Sequence, residues 1–363
     1  MKLFHVRLLV IVAAAAGFLA LSQAAHAAAG CYLLSNDIGY VCDANPPAPK
    51  FAEPRPVAES ILPTMSWGRI ADHVPVYSEP SSTSPVVRDS GDGYLWYTIR
   101  DIANNNTEGR LYYQIGDGEW VQGEHFTVGA PSQFHGFEIR SQPTRPFGWM
   151  VVDFPYSPAP GAEPEPDAIK LPRYTPVEVS AAALDDEGWI WYDIGYGRWM
   201  KQTYLSIIDP TVRPAEIGED EYWVEIDLFE QSFTAYEGDR MVYAGLVSTG
   251  LNKWPTYEGL FQVWERHLKT DMKGAEGRVD WYVVEDVPHT MFFDFDIALH
   301  GAYWHDRFGY KHSHGCVNMP PRDAEWIFNW SAEAPNDLWV YVHTSDPHTY
   351  FAKDDTQVEF AGP

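Results

Sequence analysis

The sequence predicts a mainly β protein of several domains, with one short helix near its C-terminal end. Three observations carry this. First, its 363 residues include 15 Trp, 21 Tyr and 18 Phe, alongside 28 Gly and 28 Pro. Aromatic side chains fit pleated surfaces, and frequent Gly and Pro break the chain into short strands. Second, a stretch of about 70 residues repeats once in the first two-thirds of the chain. Third, Tyr222–Leu228 alternates in the two-residue period of a strand. The length is too great for one ordinary domain, and 45% hydrophobic residues can fill two or three cores. A formal net charge of −26 argues against nucleic acid and against adhesion to anionic lipid, which need clustered Lys and Arg.

Residues 1–27 read as a secretory signal: Lys2 and Arg7, an apolar run from Leu8 to Leu21, then Ala25-His26-Ala27 as a cleavage site. That run is shorter than the roughly 20 residues needed to span a bilayer. A retained N-terminal anchor, or a lipid on Cys31, is the alternative and the only membrane contact expected. Export gives the three cysteines their meaning. Cys31 and Cys42 can close a small disulfide loop in an oxidising compartment, which leaves Cys316 unpaired. Residues 28–60 otherwise read as a linker, proline-rich from Asn45 to Pro56.

The repeat follows. Gly109–Gln122 (GRLYYQIGDGEWVQ) and Gly188–Lys201 (GWIWYDIGYGRWMK) align at an offset of 79, and Trp67–Ile70 aligns with Phe147–Met150 at 80. The units are set at 61–135 and 140–210, the second interrupted by a loop at Tyr156–Asp167. They resemble bacterial Src-homology-3-like (SH3-like) barrels through Val74-Pro75-Val76-Tyr77 and the closing Gly118-Glu119-Trp120-Val121 and Gly197-Arg198-Trp199-Met200. That resemblance implies either binding of glycan strands or packing against a neighbouring domain.

Pro210–Asp220 reads as a second linker, and the third domain is set at 220–346. Tyr222–Leu228 places Tyr222, Val224, Ile226 and Leu228 on an apolar face, with Trp223, Glu225 and Asp227 opposite. Ser232–Tyr236 turns through Glu237-Gly238-Asp239 into Arg240–Val247. Gly259–Glu265, Val279–Val284 and Asp337–His343 add strands, and Arg266–Arg278 reads as a mobile loop. Pro320-Pro321 opens a helix over Arg322–Trp330, with Ala324, Ile327 and Phe328 on one side. Residues 347–363 read as a frayed tail.

Chemistry gathers between His300 and Asn318 (HGAYWHDRFGYKHSHGCVN). The thiolate of Cys316 is the natural nucleophile, and a nearby imidazole can take its proton. Gly315 lets the backbone turn and aim N–H groups at a reacting carbonyl as an oxyanion hole. Spacing alone leaves the base open between His314, two residues away, and His300 at the end of an apolar strand.

The segment resembles the L,D-transpeptidase catalytic domain of the YkuD type: His300-Gly301, a gap, then Ser313-His314-Gly315-Cys316 followed by Val317-Asn318. Ile226-Asp227-Leu228, Gln231, Ala235–Gly238, Val247–Gly250 and Thr256–Phe261 extend the match, with Tyr257 where proline is usual. The resemblance implies an exported enzyme acting on peptidoglycan stem peptides at the cell wall. Cys316 would attack the carbonyl before a terminal D-alanine, His300 would be general base and acid, and the Gly301 carbonyl would orient it. N–H groups near Gly315 and Cys316 would hold the oxyanion, with Ser313, His314 and Asn318 shaping the pocket. His305 and His312 receive no role. Resolution by water instead of an amine would make an L,D-carboxypeptidase, and a degenerate site a non-catalytic wall-binding protein. No metal or other cofactor is expected. His289, His300, His305, His312, His314 and Asp306 are metal-ligand types, but no zinc-type spacing joins them.

Overall fold

A computed structural model describes residues 31–35, 39–42, 51–274 and 281–345. The expected signal at 1–27, the proline-rich residues 45–50 and the expected tail at 347–363 lie outside these. The regular structure of the described chain is almost entirely strand, with one α-helix, Pro321–Trp330. No helix among the described residues is long and apolar enough to cross a membrane.

Two seven-stranded sheets organise the C-terminal half. In the first, Tyr222–Asp227 lies between its antiparallel neighbour Ser232–Glu237 and its parallel neighbour Trp339–His343. Arg240–Leu246 follows, and then two strands from earlier in the chain, Phe137–Ile139 and Phe51–Ala52, complete that edge. Part of the expected N-terminal linker is therefore a strand, and its Arg55 N–H donates to Glu138 at 3.0 Å.

This sheet is covered on both faces. Val224, Ile226, Val340 and Val342 meet Ala324 and Ile327 of the helix, together with Leu299 and Val317. Trp223, Tyr236 and Met241 face a second core shared with Phe147, Trp149 and Ile208 of the second repeat. The opposite face of Tyr222–Leu228 is thus also interior: Trp223, Glu225 and Asp227 are all buried. Glu225 is satisfied there by His343 Nε2 at 2.7 Å and the Tyr236 hydroxyl at 3.2 Å, as a buried carboxylate must be. The helix is tied down at its first turn by Asp323, which accepts the Gly136 N–H at 2.9 Å and the Tyr243 hydroxyl at 2.7 Å.

The second sheet joins the first repeat to the C-terminal domain. Its order begins with Phe126–Val128, Trp67–Ile70 and Tyr94–Thr98, then passes to Tyr282–Asp294, Ile297–Gly301 and Val317–Met319. The join is a parallel ladder that sets Tyr94, Leu95 and Trp96 against Tyr282, Val283 and Val284. Residues 266–274, expected as part of a mobile loop, instead belong to a strand, Glu265–Gly274, paired along Tyr282–Asp294. Its charged side chains hid the pattern because it lies at the sheet margin, half in solvent.

The repeats have the expected strand content, but among the described residues neither closes into a barrel. The first splits between this sheet and a five-stranded one (Pro75–Tyr77, Val86–Asp89, Asp101–Asn105, Arg110–Gly116, Glu119–Gln122). The second divides among three sheets, one extended by the hairpin of Cys31–Ser35 and Gly39–Cys42, in which Cys31 stands opposite Cys42. Many aromatics of the repeats are core: Trp67, Trp96, Tyr112, Trp149, Trp191 and Tyr192 are buried, whereas Tyr196 is 99% exposed.

Candidate active site

His300 and the segment around Cys316 meet because Ile297–Gly301 and Val317–Met319 are parallel neighbours. The register sets Leu299 against Val317, His300 against Asn318 and Gly301 against Met319. Side chains alternate along a strand, so the face that carries His300 also carries Ala298 and Asn318. Cys316 precedes the second strand by one residue, level with Ala298.

The turn before Cys316 is held by hydroxyls. Ser313 Oγ accepts the Gly315 N–H at 3.1 Å and donates to the Cys316 carbonyl at 2.5 Å. Thr256 Oγ1 accepts the Gly250 N–H and donates to the Gly315 carbonyl at 2.6 Å. The N–H groups of His312 and Ser313 both donate to the Thr249 carbonyl at 3.0 Å. Gly315 has φ +122°, a conformation that side-chain-bearing residues avoid. The glycine before the cysteine is therefore needed for the backbone path; a Cβ there would meet nothing closer than 3.6 Å.

His314 projects outward between the rings of Trp254 and Tyr282, at 4.0 and 5.1 Å. The Tyr282 hydroxyl is pushed up to about 12, by burial first and then by the nearby Cys316 and Asp296 charges. Tyr282 thus forms one wall of the thiol's surroundings. Neither aromatic was singled out from sequence: Trp254 sits in a loop, and Tyr282 is brought close by long-range strand pairing.

The two reactive groups are both neutral at rest. Burial pushes the Cys316 thiol up to about 11, partly countered by the Ala298 backbone, and the Asp296 charge adds to the rise. Burial takes the His300 imidazole down to about 4, with the Gly301 carbonyl acting the other way. His300 is 1% exposed, and its Nδ1 makes no well-aligned hydrogen bond, although that carbonyl is close enough to favour a proton on the ring. Cys316 Sγ points to the Asp296 carbonyl at 3.6 Å, and among the described residues no hydrogen bond joins it to His300. Such a pair can exchange a proton only as the thiol turns toward the ring.

The other histidines separate by place. His305 contacts Asn318, its Nε2 lying 2.8 Å from the side-chain amide. His312 packs edge-on against His305 at 4.6 Å. Both are close to the site, where sequence gave them no part. His289 lies elsewhere, buried 3.8 Å from Glu325. Among the described residues, no three His, Cys, Asp or Glu side chains converge as metal ligands would.

This geometry, a strand-end histidine beside a glycine-turned cysteine, falls inside a region that matches a known family. Residues 221–358 match YkuD, the L,D-transpeptidase catalytic domain. YciB of Bacillus subtilis (strain 168), assigned by name to the L,D-transpeptidases, is 26% identical over 126 residues, covering 31% of this chain. This chain spans 62% of the length of that curated relative. Among solved structures, the Ldtfm–avibactam carbamoyl enzyme is 26% identical, over 39% of this chain and 55% of that one, with a TM-score of 0.32. A mutant L,D-transpeptidase from Enterococcus faecium is 23% identical, over 38% and 55%, also with a TM-score of 0.32. The YkuD match takes in all of the candidate residues and neither repeat.

Proposed function

We propose that the domain at residues 220–346 is a peptidoglycan L,D-transpeptidase working through a Cys316 thioester. The observation that carries this reading is the parallel register that brings His300 beside the Cys316 turn, within the region matching YkuD. Cys316 Sγ attacks the carbonyl before the terminal D-alanine of a stem tetrapeptide while the neutral His300 imidazole takes the thiol proton. The neutral state of His300 suits it to that step, and the high thiol value is the reason a base is required.

The Gly315 N–H is already donated to Ser313, so the Cys316 N–H is the local donor left for the oxyanion. His300 then returns the proton to the departing D-alanine nitrogen as the carbon–nitrogen bond breaks and the thioester forms. An amine from a second stem attacks the thioester, losing its proton to His300 and restoring the thiol. The Gly301 carbonyl orients the ring, and Ser313 and His314 shape the pocket. Wall substrate is consistent with export by residues 1–27. A Cys31–Cys42 disulfide suits that compartment, since antiparallel partners stand about 4.5–5.5 Å apart at Cα.

The test is product analysis with purified protein and stem tetrapeptides. Cross-linked dimers with released D-alanine, both lost in Cys316→Ala, support the reading. D-alanine without dimers replaces it with a carboxypeptidase, and neither product with wild-type protein rejects it.

A further inference from the structure

The loop between His300 and Cys316 carries a second imidazole that the proposed reaction does not use. Both ring nitrogens of His305 are engaged. The Arg307 N–H donates to Nδ1 at 3.1 Å. A neutral imidazole that accepts at Nδ1 carries its proton on Nε2. The atom 2.8 Å from that nitrogen is the Asn318 Nδ2; two N–H donors cannot pair, so we infer that the amide is turned to present its Oδ1 to the ring. Phe308 at 4.9 Å and His312 at 4.6 Å wall the imidazole in. Burial, then His312, His300, Arg307 and Arg173, hold its pKa well below the usual value, so the ring remains a neutral donor.

Asn318 is the residue opposite His300, and it lies two positions after Cys316. It is 3% exposed, and its backbone N–H and C=O both pair with Ser248 at 2.9 Å. Ser248 secures one edge of this strand. The other pairs with Ile297–Gly301, and the His305–Asn318 contact adds a side-chain tie between the loop that leaves His300 and the strand that leaves Cys316.

We propose that His305 is a positioning residue, which through the Asn318 amide locks the strand after Cys316 against the strand bearing His300. It touches neither substrate nor sulfur; it fixes the direction from which the thiol meets its base. The proposal rests on the reading of Cys316 and His300 as nucleophile and base.

A double-mutant cycle in the full chain tests it: His305→Leu, Asn318→Ala and the pair together. Two quantities are read, the rate of Cys316 alkylation by iodoacetamide at neutral pH, and kcat and KM for D-alanine release. Misaligning the pair slows alkylation on the order of tenfold in each single variant, and the double variant is no slower than the slower single one. The loss falls on kcat, with KM changed by less than about twofold. His305→Gln, which keeps a donor, recovers part of the rate.

Additive losses, unchanged alkylation in His305→Leu, or a loss in KM alone overturns the proposal. Should His305→Leu fail to fold, histidine 15N NMR of wild type and Asn318→Ala decides. The proposal requires a hydrogen-bonded Nε2–H tautomer at His305 that Asn318→Ala perturbs, and an Nδ1–H tautomer or an unperturbed signal overturns it. Wild-type protein without D-alanine release rejects the transpeptidase reading but leaves the alkylation cycle valid, since alkylation needs no substrate.

Discussion

The first repeat meets the C-terminal domain through main chain, and the second meets it through side chains. In the first, Tyr94–Thr98 joins Tyr282–Val284 in a parallel ladder, and Trp67 stacks on Tyr303 at 4.1 Å. The Thr98 N–H and hydroxyl add bonds to Glu285 and Asp286 at 3.2 and 2.9 Å. In the second, the Arg173 guanidinium donates to the carbonyls of Asp306 and Phe308 at 2.5 and 3.0 Å, and the Tyr174 hydroxyl donates to Asp306 at 2.8 Å. Both grips close on the same segment, residues 303–308, between His300 and Cys316.

One aligned position explains part of the divergence. Arg69 of the first repeat is exposed and lies over the Tyr94 ring at 4.9 Å. Its counterpart Trp149 is 1% exposed, in a core with Phe308 and Tyr310. At this one position the strand meets solvent in the first copy and the C-terminal domain in the second. A repeated frame specifies local strands; the residues that vary between copies specify what those strands dock against.

The contrast can be tested by substitution, the largest effect coming from the main-chain junction. Trp67→Ala removes a buried aromatic and its stack on Tyr303, and should cost about 3–5 kcal/mol by denaturant unfolding. D-alanine release should fall with it, since the strand bearing Tyr282 loses support. Undiminished release would mean that the first repeat does not support the site.

Aligned glycines give a sharper comparison. A Cβ on Gly148 would fall 1.8 Å from the Ser206 carbonyl, an unyielding backbone atom, whereas one on Gly68 would fall 2.1 Å from the Phe126 ring, which can move. Gly148→Ala should cost about 3 kcal/mol and Gly68→Ala about half of that. Equal losses would make the two environments equivalent.

Arg173→Ala should cost about 2 kcal/mol, the scale of charge-assisted hydrogen bonds to carbonyls, and should lower kcat more than Gly68→Ala does. A mild acid dependence is expected last. Burial first, with Asp271 and Asp286 adding to it, raises Glu285 to about 7 against an ordinary 4.5, and the Thr98 N–H opposes the rise. The folded form therefore holds this proton more tightly than the unfolded chain. Its contribution is complete below about pH 4.5 and disappears as pH rises through about 7. Partial exposure limits it to about 1 kcal/mol. Glu285→Gln should flatten that part of the stability profile, measured by thermal melts across the interval.

Local patterns were readable where chemistry or periodicity is local. The helix after Pro320-Pro321, the hairpin at Glu237–Asp239 and the apolar face of Val224 and Ile226 were all legible in neighbouring residues. So was the candidate site, because the glycine, serine and cysteine of its turn are contiguous. What escaped depends on distant partners. Glu225 and Asp227 read only as the face opposite Val224 and Ile226, because the second repeat, which covers that face, leaves no mark on Tyr222–Leu228. Residues 266–274 read as a loop because a half-exposed strand at a sheet margin carries Lys269, Asp271 and Lys273 without clean alternation. His305 gained its place only when Asn318, thirteen residues on, folded back beside it.

The ladder between Tyr94–Thr98 and Tyr282–Val284 has a consequence for how the chain acquires its shape. Its partners lie 188 residues apart in sequence, so the earlier strand is synthesised well before the later one. Until the later strand arrives, an apolar edge containing Leu95 and Trp96 has no parallel neighbour, the arrangement most open to pairing with another molecule. Contacts of such separation also form slowly, because the intervening chain must close first. Refolding should accordingly be slow, with the ladder among the last parts to mature, and more prone to aggregation at higher protein concentration.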